Sequence, residues 1–178
     1  MRAYFFGNMY LSSIQQGIQA AHVTAEMFCQ WGGDRTLQEW ADDHKTMILL
    51  NGGYLETMED LWGFINEGDH DYPYAKFHEG LDSLGGVLTS VGIVLPEKIY
   101  LTAAAMRRDR PKRGETSIAE LIQSNGCWIV EADNDYGLVF NDGTDGLLME
   151  FSKWEFDLMN RLNGCGLASC TSTVSLRN

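Results

Sequence analysis

Residues 4–28 read YFFGNMYLSSIQQGIQAAHVTAEMF, and this stretch decides the fold. Its aromatic start, part of RAYFFG, has the composition of a buried strand and breaks at Gly7-Asn8. Ser12 and Ser13 then offer hydroxyl caps. Ile14, Ile18, Ala21, Ala25 and Phe28 recur at spacings of three and four, which predicts a helix with that stripe as its apolar face. Gly32 and Gly33 stop the helix after Trp31.

Downstream, 37–43 predicts one short helical turn. The run TMILLN at 46–51, closed by Gly52-Gly53, has the pattern of an interior strand covered on both faces. A helix over 56–66 follows, with Leu55, Met58, Leu61, Trp62 and Ile65 on one side. EGDHDYP at 67–73 is a loop, 74–78 is a strand, and 87–95 is a strand rich in β-branched residues ended by Pro96. The order β-α-β-α-β-β predicts an α/β fold: a mixed sheet flanked by helices over residues 1–100.

Residues 101–178 change character and predict an α+β extension packed on the same domain. A helical stretch runs into a basic loop, Ser117 caps a short helix to Gln123, and 127–132 with 137–141 form a hairpin around Asp133-Asn134-Asp135. An amphipathic helix over 147–162 and a fraying Gly/Ser/Thr-rich end complete it.

A chain of 178 residues with 44% hydrophobic content can bury one sizeable core. No apolar run approaches the roughly 18 residues needed to cross a bilayer, and the opening lacks the order of a signal peptide, so the expectation is a cytoplasmic protein with no membrane contact. The net charge of −12 argues against a grip on a long phosphate backbone. Five of the 13 basic residues, Arg107, Arg108, Arg110, Lys112 and Arg113, nevertheless fall within seven positions, enough to hold a few phosphates. Cys29, Cys127, Cys165 and Cys170 form no C-x-x-C pair and are read as free thiols. His44, His70 and His78 lack the spacing that brings two imidazoles to one ion. NGGY, LGGV and NDGTDG lack phosphate-loop spacing, and the Asp-rich turns at 133–135 and 142–146 lack the glutamate a calcium loop needs, so neither metal nor cofactor is expected.

The opening strand, loop and helix resemble those of the type 2 peptidyl-tRNA hydrolases, in which a strand leads to D-L-x-M-x-K-G-K and then to A-A-Q-x-x-H-A on a helix. Here the Gln-x-x-His element stands as Gln19-Ala20-Ala21-His22. The family lysine falls on Gln15 and the loop aspartate on Asn8. TMILLN and ETMEDLWGF sit where the family has its second strand and helix. Tyr74 to Gly80 matches a later strand, with Glu79 in place of an aspartate, and Gly92-Ile93 matches the closing Gly-Ile. The resemblance covers about residues 3–95 and implies hydrolysis of the ester that joins a peptide to a tRNA ribose.

Positions three apart share a helix side, so Gln19 and His22 present an amide and an imidazole together, with Gln15 one turn earlier. Glu79 is the candidate general base through water, and His22 the proton shuttle. Asn8, Gln15, Lys76 and the basic run are the candidate substrate contacts. On a strand Lys76 and His78 share one side and Glu79 points to the other. Replacing the family lysine by Gln15 removes a charge worth about 2–4 kcal/mol to an oxyanion. With the acidic surface, this shifts the expected substrate from whole tRNA to a small or cyclic oligonucleotide, the kind of signal a viral protein would destroy to disarm host nucleotide immunity. Two other readings stay open. One is a peptidyl-tRNA hydrolase in which Lys45 or Lys76 substitutes in space, with tRNA as partner. The other is a catalytically dead protein that sequesters a nucleotide or blocks a protein. A homodimer is among the open assembly states.

Overall fold

The computed structural model describes residues 1–108, 127–132, 135–140 and 148–164. The described residues form two compact units, Met1–Glu97 and Lys98–Gly164.

In the first unit, β1 (Arg2–Gly7), β2 (Met47–Asn51), β3 (Tyr74–His78) and β4 (Leu88–Leu95) make one mixed sheet in the order β2-β1-β4-β3. β1 and β2 are parallel, with Phe5 beside Leu49, and β4 runs antiparallel to both β1 and β3. Helices α1 (Ser13–Trp31), α2 (Arg35–Glu39), α3 (Leu55–Asn66) and α4 (Leu81–Leu84) flank this sheet, so the α/β fold stands. Asp34 caps α2 by accepting from the Leu37 amide at 2.9 Å. One wide π-helical turn, Trp40–His44, then ends at Lys45 in the left-handed region.

TMILLN is not an interior strand. β2 lies at the end of the sheet, and of its residues only Leu50 is fully buried. Met47 and Leu49 pack against the cluster beneath α1 while Leu50 is buried on the alternate face. An unbroken apolar run therefore reports covered faces and says nothing about an open edge. The strand buried along its whole length is β4.

The predicted apolar face of α1 is also corrected. Ile14 is 77% exposed and Ile18 50%, Phe28, Ala21 and Ala25 are exposed too, and the buried side is Gln16, Gln19, Ala20, Val23 and Met27. The helix carries apolar residues on both sides, so periodicity alone could not choose between them. Two facts decide it. The glutamines find partners when buried: Gln16 Nε2 donates to the carbonyls of Asn8 and Leu11 at 3.4 and 3.2 Å, and Gln19 is bonded as described below. The sheet beneath is also shaped for close approach. A Cβ on Gly92 would lie 2.7 Å from Val23 Cγ1, 2.8 Å from Met27 Cε and 2.9 Å from Phe5 Cδ1. Ala3, Phe5, Ala75 and Val94 complete that floor. On the other face Phe6, Val91 and Ile93 are fully buried, and α3, packed along β4, contributes buried Met58, Leu61 and Ile65.

In the second unit, β5 (Cys127–Ala132), β6 (Asp135–Phe140) and β7 (Leu148–Ser152) form an antiparallel sheet in that order. The expected hairpin exists, with its second strand starting two residues earlier than predicted. The expected helix over 147–162 divides: its first part is β7, and only Lys153–Gly164 is helical, here α6. Ser152 and Glu155 mark the division as a capping box, with the Glu155 amide donating to Ser152 Oγ at 3.1 Å and the Ser152 amide to Glu155 Oε2 at 2.9 Å. Lys98, on α5 (Glu97–Arg108), pairs with Glu155 at 2.8 Å. The predicted helix at 117–123 and the fraying end lie outside the described residues.

Among the described residues no helix is long and apolar enough to cross a membrane.

Candidate functional site

Gln19 is only 4% exposed, and its amide is used at both ends. Nε2 donates to Glu79 Oε1 at 2.6 Å, while Oε1 accepts from the Thr89 hydroxyl at 3.0 Å. Thr89 has one proton and a second acceptor, the Phe77 carbonyl at 3.1 Å, so it ties α1 to β3 from its place on β4. The other carboxylate oxygen of Glu79 accepts from Ser83 on α4 at 3.1 Å, and that hydroxyl also lies 3.1 Å from the Gly80 carbonyl. Side chains from α1 and α4 thus meet on one carboxylate, and Thr89 on β4 holds the α1 amide in place.

The local backbone explains how Glu79 arrives there. The β3–β4 register shifts between Phe77 and His78, a bulge that bends the strand end, and the Glu79 amide then donates to the Val87 carbonyl at 3.1 Å. His22, one turn beyond Gln19, is exposed, and its ring lies parallel on Phe77 with centroids 4.4 Å apart and planes 9° apart. The structure therefore brings Gln19, His22 and Glu79 together at the crossing of α1 with the end of β3. Leu81 and Leu84, 81% and 48% exposed, form an apolar lip just past the carboxylate.

The Glu79 carboxyl is held below its ordinary value of 4.5. The Gln19 hydrogen bond is the largest cause and Ser83 the next. Desolvation opposes them, and the Gly80 backbone and the neighbouring charge on His22 add to the lowering. The group is thus an anion at neutral pH. It is suited to orienting a water or hydroxyl, and as a base of lowered strength it takes a water's proton only as that water attacks. Among the described residues, no Lys or Arg is one of the groups that lower it.

The remaining candidates sit elsewhere. Asn8 is buried and holds the loop after β1: Nδ2 donates to the Leu88 carbonyl at 3.3 Å and Oδ1 accepts from the Tyr10 amide at 3.1 Å. Gln15 is exposed, and its Oε1 accepts from the Ser12 amide and hydroxyl at 3.0 and 2.8 Å, which makes it the third residue of a capping box for α1. Lys76 Nζ stands 4.5 Å from the centroid of the Trp62 ring. Arg107 and Arg108 end α5, with side chains outside the described set. Arg110, Lys112 and Arg113 lie outside the described residues. Among the described residues no group of three or more His, Cys, Asp or Glu side chains could hold a metal ion.

Thr89 and Ser83 escaped the reading of the sequence. Thr89-Ser90 is a pair of hydroxyls inside an otherwise apolar strand, and that interruption was the available signal. Ser83 carried none, because α4 is a single short turn. No family model matches the chain, and no curated protein matches it.

Proposed function

We propose that the protein is a hydrolase acting on an ester or phosphodiester bond of a small nucleotide-containing substrate, with a cyclic oligonucleotide favoured over whole tRNA. The observation that carries this reading is the Thr89–Gln19–Glu79–Ser83 chain of hydrogen bonds beside an exposed imidazole. In the reaction, a water hydrogen-bonded to Glu79 attacks the acyl carbon or the phosphorus. Its proton passes to the carboxylate, and His22 donates a proton to the leaving oxygen as that bond breaks. The apolar lip of Leu81 and Leu84 suits the flat face of a base, and the net charge of −12 disfavours a polyanion of tRNA size.

The test is to incubate the protein with peptidyl-tRNA and, separately, with linear and cyclic dinucleotides, and to separate the products by chromatography. Turnover of a dinucleotide is expected, falling about 100-fold or more in Glu79→Gln and in His22→Ala. Equal rates for wild type and both variants would sink the assignment. One observation favours a second reading, a sequestering protein without catalysis: each Glu79 oxygen already accepts a protein hydrogen bond, so the carboxylate is held in place without a water. On that reading a dinucleotide raises the melting temperature, by about 2.7 kcal/mol of added stability at 100 times Kd, yet yields no product.

A further inference from the structure

The other end of β3 carries a different feature. Tyr74 and Lys76, two apart, share one side of the strand, and Trp62 and Asn66, four apart, share one side of α3. With Gln30 and Trp31 from the last turn of α1 they line a cleft of about 370 Å³, which none of Gln19, His22 or Glu79 reaches. That volume falls within the range of small-molecule sites, about 300–1,000 Å³.

Its walls are fixed from within. Trp31 Nε1 donates to the Tyr74 carbonyl at 2.9 Å, and the Tyr74 hydroxyl donates to Asn66 Oδ1 at 3.4 Å. The Trp31 and Trp62 rings lie 5.4 and 5.6 Å from the Tyr74 ring, tilted by 53° and 50°. Trp31, Trp62 and Tyr74 nonetheless stay half-exposed. Rings held in place and left open to solvent are a stacking surface.

The chemistry narrows the occupant. An aromatic cage can take a cation, but here the protein's own ammonium, Lys76, already stands over Trp62. What remains is a flat ring to stack on the indoles and an anionic group to draw the lysine. The amides of Gln30 and Asn66 carry both donors and acceptors, as the edge of a heterocycle requires. Glu67, Asp69 and Asp71 are exposed in the loop directly after Asn66, which disfavours a polyphosphate and leaves room for one phosphate. We propose that this cleft binds a planar heterocycle bearing a single phosphate, of the nucleoside monophosphate class. The base stacks on Trp62 and Trp31, and the Lys76 ammonium leaves the indole face to meet the phosphate.

This site goes beyond the hydrolytic reading and does not depend on it, since Gln19, His22 and Glu79 do not line the cleft, and of the substrate contacts expected from the sequence only Lys76 does. The full chain is titrated with adenosine monophosphate, guanosine monophosphate, adenosine and inorganic phosphate, following tryptophan fluorescence and heat release. Both nucleotides should bind saturably, adenosine about tenfold more weakly, and phosphate alone without quenching the indoles. Lys76→Met should bind the nucleotide no better than the nucleoside, Trp62→Leu should lose both, and Glu79→Gln should bind as wild type does. Circular dichroism checks that the variants fold. Absence of saturation by either nucleotide up to about 10 mM, or nucleotide binding unchanged in Lys76→Met, would overturn the proposal.

Discussion

Gln19 organises the first site because its amide is two-sided: the nitrogen end satisfies a carboxylate while the oxygen end takes a hydroxyl proton. Gln19→Leu removes the largest cause of the lowered Glu79 value, so that group should titrate closer to 4.5, as a carboxyl carbon NMR titration would read. The linkage has a definite sign. A carboxyl lowered in the folded state stabilises the fold above its unfolded value and loses that contribution as pH falls through the folded value. The melting temperature of wild type should therefore exceed that of Glu79→Gln above pH 4.5 and converge with it in more acid solution. Gly92 is the other decisive residue. Gly92→Ala puts a methyl 2.7 Å from Val23 and should cost about 1–3 kcal/mol in urea unfolding, pushing α1 and its glutamine off the sheet. Spacing put Gln19 and His22 on one side of α1, and the resemblance pointed to Glu79. The buried hydroxyl of Thr89 was not, since a lone threonine in a strand is also an ordinary β-former.

The elements were easier to find than to orient. β1, the start and stop of α1, and β3 follow from composition, a serine cap and paired glycines. Which side of α1 meets the sheet does not, because that depends on what lies opposite. Ile14→Lys and Ile18→Lys, on the exposed side, should each change unfolding stability by no more than about 0.5 kcal/mol. Met27→Ala, fully buried, should cost about 2–5 kcal/mol in the same urea titration. The reverse ranking would restore Ile14 and Ile18 to the buried side. β7 was hidden for a related reason: LLMEF carries apolar residues that suit either a helix or a strand, and only the Ser152–Glu155 capping box shows where the helix begins.

At the scale of the whole molecule, 25 acidic residues against 13 basic ones set the kind of anion the surface tolerates. Affinity for a ligand with one phosphate should fall by less than about tenfold between 50 and 200 mM salt, whereas a grip on six to ten phosphates would lose about 10³–10⁵. Titrations at the two ionic strengths distinguish these. Overall charge and the mixed α/β class could be read from composition and element order, but strand order could not, since no residue pattern states which neighbour a strand chooses. Among the described residues that order leaves β3 at a border of the sheet, where unpaired peptide groups would invite a stranger's chain. Three small measures close the border: the indole of Trp31 occupies the Tyr74 carbonyl, Lys76 places a charge there, and the bulge at Phe77 and His78 turns the line away. The tryptophan that walls a cleft is thus also a sentry against self-association. Trp31→Phe should show it as light scattering that climbs with protein concentration while the circular dichroism of the dilute protein stays unchanged.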